Sequence, residues 1–329
     1  MSRTESVRVV VVAALLGAVW TGATLAQTPP VVGAGSGAAA QTPAAPGRGQ
    51  AGRGVFAPVV IGPSAPVPAE VAMLRPSAVE LAQINESLTK FINNDKSTAK
   101  PLLKKYESLV ILQPPRLNTA ATFTQTVQRQ GPRHEGFVEI AKKGDIDLLL
   151  HGDSITDWWV QGDANKQVFE KYFGGIKTAN FAISGDTTQG LLWGLKNGEG
   201  QGFQPKAVML MIGTNNSGAN TAPEIAEGIG AVVLEMRHDF PNAKILLLAI
   251  FPRSLPGDPV RDKIAEVNRT IAKLDDQQHV FYLDIGAKFL DEKGVFLPEA
   301  FRPDNLHPLA KGYEIWGDAV QAKLAALVK

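Results

Sequence analysis

The chain has 329 residues, 44% hydrophobic and 20% charged, an ordinary globular composition with room for one large domain or two small ones. A formal net charge of +1 excludes the basic surplus of a nucleic-acid or anionic-membrane binder. The absence of cysteine excludes disulfides, thiolate catalysis, cysteine-ligated zinc and attachment through a lipidated cysteine.

The N-terminus has the pattern of an export signal. Arg3 and Arg8 precede an apolar run from Val9 to Ala23, and Thr24-Leu25-Ala26 offers small residues before Gln27. Residues 1–26 are therefore expected to be a signal peptide. The competing reading is an uncleaved anchor, but the run falls short of the ~20 residues that span a bilayer. A periplasmic or secreted protein with no stable membrane span after cleavage is expected. Residues 27–68 are rich in Ala, Gly and Pro and are expected to form a disordered linker, since they hold too little apolar surface to offset their ordering entropy.

Residues 69–132 are expected to be a helical extension. Val79, Ile84, Leu88 and Phe91 recur at near-helical spacing, as do Leu102, Leu103, Tyr106, Leu109 and Val110, with Pro101 between the groups. Two helices joined near Asn94–Lys100 fit that pattern.

From Asp147 onward short apolar runs alternate with amphipathic stretches of helical length. The runs are Asp147–His151, Lys177–Ile183, Ala207–Ile212, Lys244–Ile250 and Val280–Asp284. The stretches include Pro223–Phe240, Val260–Leu274 and Gly312 to Leu327. Fully apolar strands separated by helices signal a parallel sheet covered on both faces. The expected fold class is α/β: a three-layer α/β/α sandwich on a five-stranded parallel sheet, preceded by the helical extension. In such sheets, sites form at the carboxyl ends of the strands.

Polar residues gather at those ends. Ser154 follows the first strand in Gly152-Asp153-Ser154-Ile155-Thr156, where it can project a hydroxyl, though Asp153 or Ser154 can equally cap a helix. Gly185, after the second strand, can offer a bare N–H, and Asp186 or Thr187 can cap the next helix. Asn215, after the third strand, can donate an amide to the same point or form an Asx turn. Asp304 stands three residues before His307, a spacing from which a carboxylate can orient an imidazole. Together these supply a nucleophile, a base, an orienter and oxyanion donors, the set that ester hydrolysis needs. Trp158, Trp159 and Trp193 suit either a site wall or the core. His151 reads as a strand-end packing residue, and His134, His238 and His279 show no metal-ligand spacing.

Ser154, Gly185, Asn215 and His307 stand in the chain order of the four blocks that define the SGNH, or GDSL, hydrolases, which residues 133–329 resemble. Leu192-Trp193-Gly194-Leu195-Lys196-Asn197-Gly198-Glu199 and Gly213-Thr214-Asn215-Asn216 carry a closer likeness to platelet-activating-factor acetylhydrolase catalytic subunits and their bacterial relatives. The resemblance implies a flavodoxin-like sheet, a shallow acyl site and a Ser154–His307–Asp304 triad. It further implies an oxyanion hole of the Ser154 and Gly185 N–H groups and the Asn215 side chain, with no metal and no cofactor. The expected activity is hydrolysis of short acyl esters, acetyl above all, on a small molecule or a polysaccharide. A lipid acyl hydrolase and an inactive carbohydrate-binding domain on the same fold are the alternatives. No nucleic-acid partner is expected, and a homodimer is left open.

Overall fold

The computed structural model describes residues 56–329. The signal-peptide expectation and the linker as far as residue 55 lie outside the described residues.

Five strands form one parallel sheet: β1 (Leu148–Gly152), β2 (Thr178–Asn180), β3 (Ala207–Met211), β4 (Lys244–Leu248) and β5 (Val280–Leu283), in the order β2-β1-β3-β4-β5. The runs are apolar at every position because both faces are covered, and alternate side chains feed different cores. Leu149, Val208, Leu210, Ile245 and Leu247 point to one side, and Leu148, Leu150, Met209, Met211, Leu246 and Leu248 to the other.

Ten α-helices accompany the strands among the described residues. The N-terminal ones are α1 (Ala78–Asn94), α2 (Lys100–Lys105), α3 (Glu107–Val110) and α4 (Pro132–Lys143). Between strands lie α5 (Ser154–Asp157), α6 (Asp163–Phe173), α7 (Thr188–Gly194), α8 (Ala222–Asp239) and α9 (Pro259–Ile271), and α10 (Ala310–Leu327) closes the chain. The first core takes Phe137 of α4, Leu191 of α7, Ile225 and Ile229 of α8 and Ile264 and Val267 of α9. The second takes Val168 and Phe173 of α6 and Tyr313, Trp316 and Val320 of α10. The three-layer α/β/α architecture is thus the one the alternation predicts. None of the described helices is long and apolar enough to cross a membrane.

The N-terminal part departs from expectation in three places. Residues 61–68, assigned to the linker, run along the body: Ser64 bridges Thr122, Ala65 N donates to Ala121 O at 2.8 Å, and Ala65 is buried. Backbone hydrogen bonds to a neighbouring segment hold this Pro-rich stretch where apolar burial alone would not. The second expected helix is broken in two at Tyr106, whose φ of −110° and ψ of 25° leave helical space. The domain boundary at residue 133 also cuts through the packed body, because Arg129 is fully buried against Asp186 and Glu199. The extension is tied down elsewhere by Glu227, which accepts from Arg75 at 2.6 and 2.7 Å, Met73 N at 2.7 Å and Asn118 at 2.9 Å.

Candidate active site

Successive strands leave β1 on opposite sides, toward β2 and then toward β3, so the carboxyl ends of these three strands flank the switch in connection order. Ser154, Gly185 and Asn215 all follow those ends.

The nucleophile candidate is placed by its neighbours. A Cβ on Gly152 would fall 2.2 Å from the Met211 carbonyl oxygen, so only glycine lets β1 pass β3 here. Asp153 then caps α5 by accepting from Ile155 N at 3.0 Å, which leaves Ser154 as the first residue of that short helix. The capping role and the role of presenting a hydroxyl to His307 therefore fall on adjacent residues rather than competing for one. Asp153 is fully buried, and burial together with nearby Asp186 and Asp157 pushes its carboxyl up to about 7.

Asp304 and His307 sit on the irregular segment after β5. A turn from Arg302 to His307, closed by Arg302 N donating to His307 O at 2.9 Å, places Asn305 at a φ of +53°. His307 Nε2 lies 2.9 Å from Ser154 Oγ, and His307 Nδ1 lies 2.8 Å from Asp304 Oδ2. The other Asp304 oxygen accepts from the backbone N–H groups of Leu306 and His307, each at 3.0 Å. Partial burial pushes the Asp304 carboxyl up. The hydrogen bonds from the His307 ring and from these two N–H groups outweigh it and hold the group below the ordinary carboxylate range. An ionised Asp304 accepts from Nδ1–H, so Nε2 of the neutral ring is the acceptor facing the serine hydroxyl.

Trp158 stacks on His307 with ring centroids 4.2 Å apart, and the Arg302 guanidinium lies 4.8 Å from the Trp158 ring. Trp158 Nε1 donates to Ser184 Oγ at 2.9 Å, and Ser184 Oγ donates to Asp157 at 2.7 Å. Trp158 is thereby a site residue, whereas its neighbour Trp159 is core, packed on Phe173, Tyr313 and Trp316.

The remaining donors meet at Asp186. Gly185 takes a φ of +81°, open to glycine at little cost, and its N–H donates to no acceptor among the described residues. Asn215 Nδ2 donates to the Asp186 carbonyl at 2.8 Å, which joins the loop after β3 to the loop after β2. Asp186 is not a helix cap. It is a fully buried carboxylate paired with Arg129 at 2.6 Å, and Arg129 also pairs with buried Glu199. Glu199 in turn meets His134 Nδ1 at 2.7 Å and faces His151 Nε2 at 3.6 Å. Burial pushes the His151 imidazole well below its ordinary range, with the nearby Arg129 charge adding to the effect, so it stays neutral.

The buried pairing of Arg129 with Asp186 and Glu199 escapes a reading of the sequence. Nothing local marks an arginine 57 residues before its carboxylate partner as buried. A second cluster lies at the far end of α8 from Asn215, where Glu235, His238 and Asp239 bring ligand atoms within 4.8 Å of one another. Histidine spacing in the sequence does not reveal it, because two carboxylates complete the set. Two bonds already engage it, Lys196 to Glu235 at 3.3 Å and His238 to Asp239 at 3.1 Å.

A serine hydroxyl, an imidazole and a carboxylate in this order form the relay that nucleophilic acyl transfer uses. The model of the GDSL-like lipase/acylhydrolase family matches residues 150–315, which include Ser154, Trp158, Gly185, Asp186, Asn215, Asp304 and His307 but not Arg129 or His134. Platelet-activating factor acetylhydrolase IB subunit alpha2 of Rattus norvegicus is 36% identical over 202 residues, 61% of this chain and 85% of that protein. The alpha1 subunit of Homo sapiens is 32% identical over 196 residues, 58% of this chain and 82% of that protein. A solved structure of a candidate platelet activating factor from Streptococcus pneumonia superposes with a TM-score of 0.50 at 21% identity, over 58% of this chain and 91% of its own, and agrees in fold. With a family model spanning half its length, and relatives of whose length it covers more than four-fifths, the chain belongs to the GDSL-like lipase/acylhydrolase family and is a hydrolase of carboxylic esters.

Proposed function

We infer that Ser154, His307 and Asp304 form the catalytic triad, and that the substrate is a short-chain acyl ester, acetyl above all, carried by a carbohydrate. The observation behind this reading is the continuous chain of contacts from Ser154 Oγ through His307 to Asp304, at 2.9 and 2.8 Å. His307 Nε2 takes the proton as Ser154 Oγ attacks the acyl carbon, and Asp304 stabilises the imidazolium that results. The N–H groups of Ser154 and Gly185 and the Asn215 amide receive the oxyanion. The proton then passes from His307 to the departing alcohol, and a water activated by the same nitrogen releases the acyl group.

Three points support the substrate class. The relatives are acetylhydrolases by name. Asp304 keeps 44% of its side chain exposed, so a bulky hydrophilic alcohol can lie over the site. The N-terminal signal pattern would deliver the protein outside the cytoplasm, where polysaccharides are met. A panel of acetylated xylose, acetylated xylan and aryl esters from acetyl to octanoyl tests the reading. Highest kcat/KM on acetyl groups, and release of acetate from the sugars, are expected. A rate that climbs with chain length would overturn it.

That last outcome would favour the second reading, a lipid acyl ester. Its motive is the run of exposed apolar side chains on α1–α3, with Phe91 at 56%, Leu102 at 59% and Leu109 at 80% exposure. The proposed chemistry passes protons through His307 between Ser154, the departing alcohol and water, and calls on no metal ion, so activity should survive dialysis against EDTA. A loss restored by zinc or manganese would refute the serine mechanism.

A further inference from the structure

We propose that the turn Val127–Arg129, which precedes the family-matched residues, completes the acyl site: Gln128 presents its amide to the substrate beside Gly185, and Arg129 is a positioning residue that holds the Gly185 N–H through Asp186. The inference rests on the reading of Gly185 as an oxyanion donor.

Gln128 lies directly on the face of Gly185 where a side chain would stand. A Cβ at Gly185 would meet Gln128 Nε2 at 3.3 Å, Cγ at 3.7 Å and Cδ at 3.9 Å. Two nearby glutamines use their amides structurally: Gln125 donates to Arg129 O at 3.4 Å and Gln130 to Ala57 O at 3.0 Å. The Gln128 amide donates to no other described residue. A free donor and acceptor beside the oxyanion loop suits a hydroxylated alcohol group of a bound ester.

Arg129 acts one residue further on. Its Nε and Nη2 lie 3.0 and 2.6 Å from one oxygen of Asp186, and its Nη1 lies 2.6 Å from Glu199 Oε1. Asp186 is thus held at its carboxylate by Arg129 and at its carbonyl by Asn215. Gly185 has no side chain with which to fix itself, so the direction of its N–H follows the residue bonded to it. Helix α7 is shaped around these charges. A Cβ at Gly190 would fall 2.2 Å from Asp186 Oδ1, and one at Gly194 would fall 2.7 Å from Glu199 Oε2. A buried ion pair is weak evidence of stabilisation, since apolar packing often does as well. An arginine fork on the residue next to an oxyanion donor has a geometric use that apolar packing lacks.

The test uses the full chain, with p-nitrophenyl acetate and acetylated xylose as substrates and thermal unfolding as the control for folding. Gln128→Ala should lower kcat/KM about 3- to 10-fold on acetylated xylose, the scale of one hydrogen bond, and by less than about twofold on the aryl acetate, with an unchanged unfolding midpoint. Arg129→Lys keeps the charge but loses the fork. It should lower kcat about tenfold or more on both substrates while KM stays within about twofold, as expected for a displaced transition-state donor. Should Arg129→Lys fail to fold, Asp186→Asn takes its place with the same expectation. Parent-like kinetics on both substrates in folded Gln128→Ala and in the folded positioning variant would overturn the inference. Ser154→Ala is run in parallel: an active Ser154→Ala enzyme sinks the underlying reading, whereas an inactive one beside parent-like Gln128→Ala and Arg129→Lys sinks this inference alone.

Discussion

Two consecutive stretches of the N-terminal extension meet the catalytic body in opposite ways. Helices α1–α3, with their amphipathic pattern, bury a single side chain, Ile92. The stretch from Asn118 to Arg129 has little regular structure and a polar composition, yet it buries Asn118, Thr122, Thr124, Thr126 and Arg129. The helices satisfy their backbone internally and can stand half exposed. The irregular stretch has no such option, and it is held by hydrogen bonds and ion pairs that the body supplies. Periodicity thus reports how a segment folds, while burial depends on what partner waits for it.

Substitutions can break or sharpen this comparison, beginning inside the body. Ser154→Ala should lower kcat by about 10³-fold or more, as when a triad nucleophile is removed, while stability changes by no more than about 1 kcal/mol. Steady-state rates beside a urea titration check both halves, and retention of a tenth of the parent kcat would refute the assignment. His307→Ala should remove most of the rate, about 10³-fold or more in kcat. Parent-like rates in this variant would identify another base.

The irregular stretch comes next. Arg129→Ala leaves two buried carboxylates without their counter-charge and should destabilise the fold by about 3–5 kcal/mol. A shift in the urea midpoint no larger than that of a surface variant would show that the buried contact is dispensable.

Asp153 gives a pH-dependent effect of comparable size. Its carboxyl is raised to about 7 in the folded protein and titrates near the ordinary value, about 4, when unfolded. Between those values the folded state binds the extra proton, so stability falls as pH rises from about 4 to 7 and is level above. Asp153→Asn keeps an acceptor for Ile155 N and removes the titration. The stability difference, variant minus parent, should therefore grow with pH across that window, by about 1.4 kcal/mol per unit. Parallel curves for the two proteins would show that Asp153 is ionised throughout. The helices come last: Leu109→Ser should shift stability by no more than about 0.5 kcal/mol. A larger loss would mean that the exposed face of α3 is covered in solution.

Much of the site was legible because its residues are tied to strand ends. Leu148–Leu150, Ala207–Met211 and Ile245–Leu248 are short runs, apolar at consecutive positions and separated by helices, which a parallel sheet covered on both faces explains. Once those strands are placed, Ser154, Gly185 and Asn215 fall at one edge whatever the loops do. Trp158 and Trp159 show where that legibility stops. They are identical and adjacent, and whether one stacks on His307 while the other enters the core depends on a short helix whose rotation no pattern encodes.

By itself, then, the sequence determined the parallel α/β sheet, the order of its elements and the loops that hold Ser154, Gly185, Asn215 and His307. Strand periodicity and glycine placement are local properties, read a few residues at a time. Only the tertiary structure decided that residues 61–68 pair with the Ala121–Phe123 stretch, that Asp186 is an ion-pair partner and that Gln128 lies over Gly185. Each of those contacts joins segments some 57 residues apart, and a charged or polar side chain carries the same local signature on the surface as in a buried pair. Its environment is set by which distant group arrives beside it, and that is settled when the sheet and its flanking layers close.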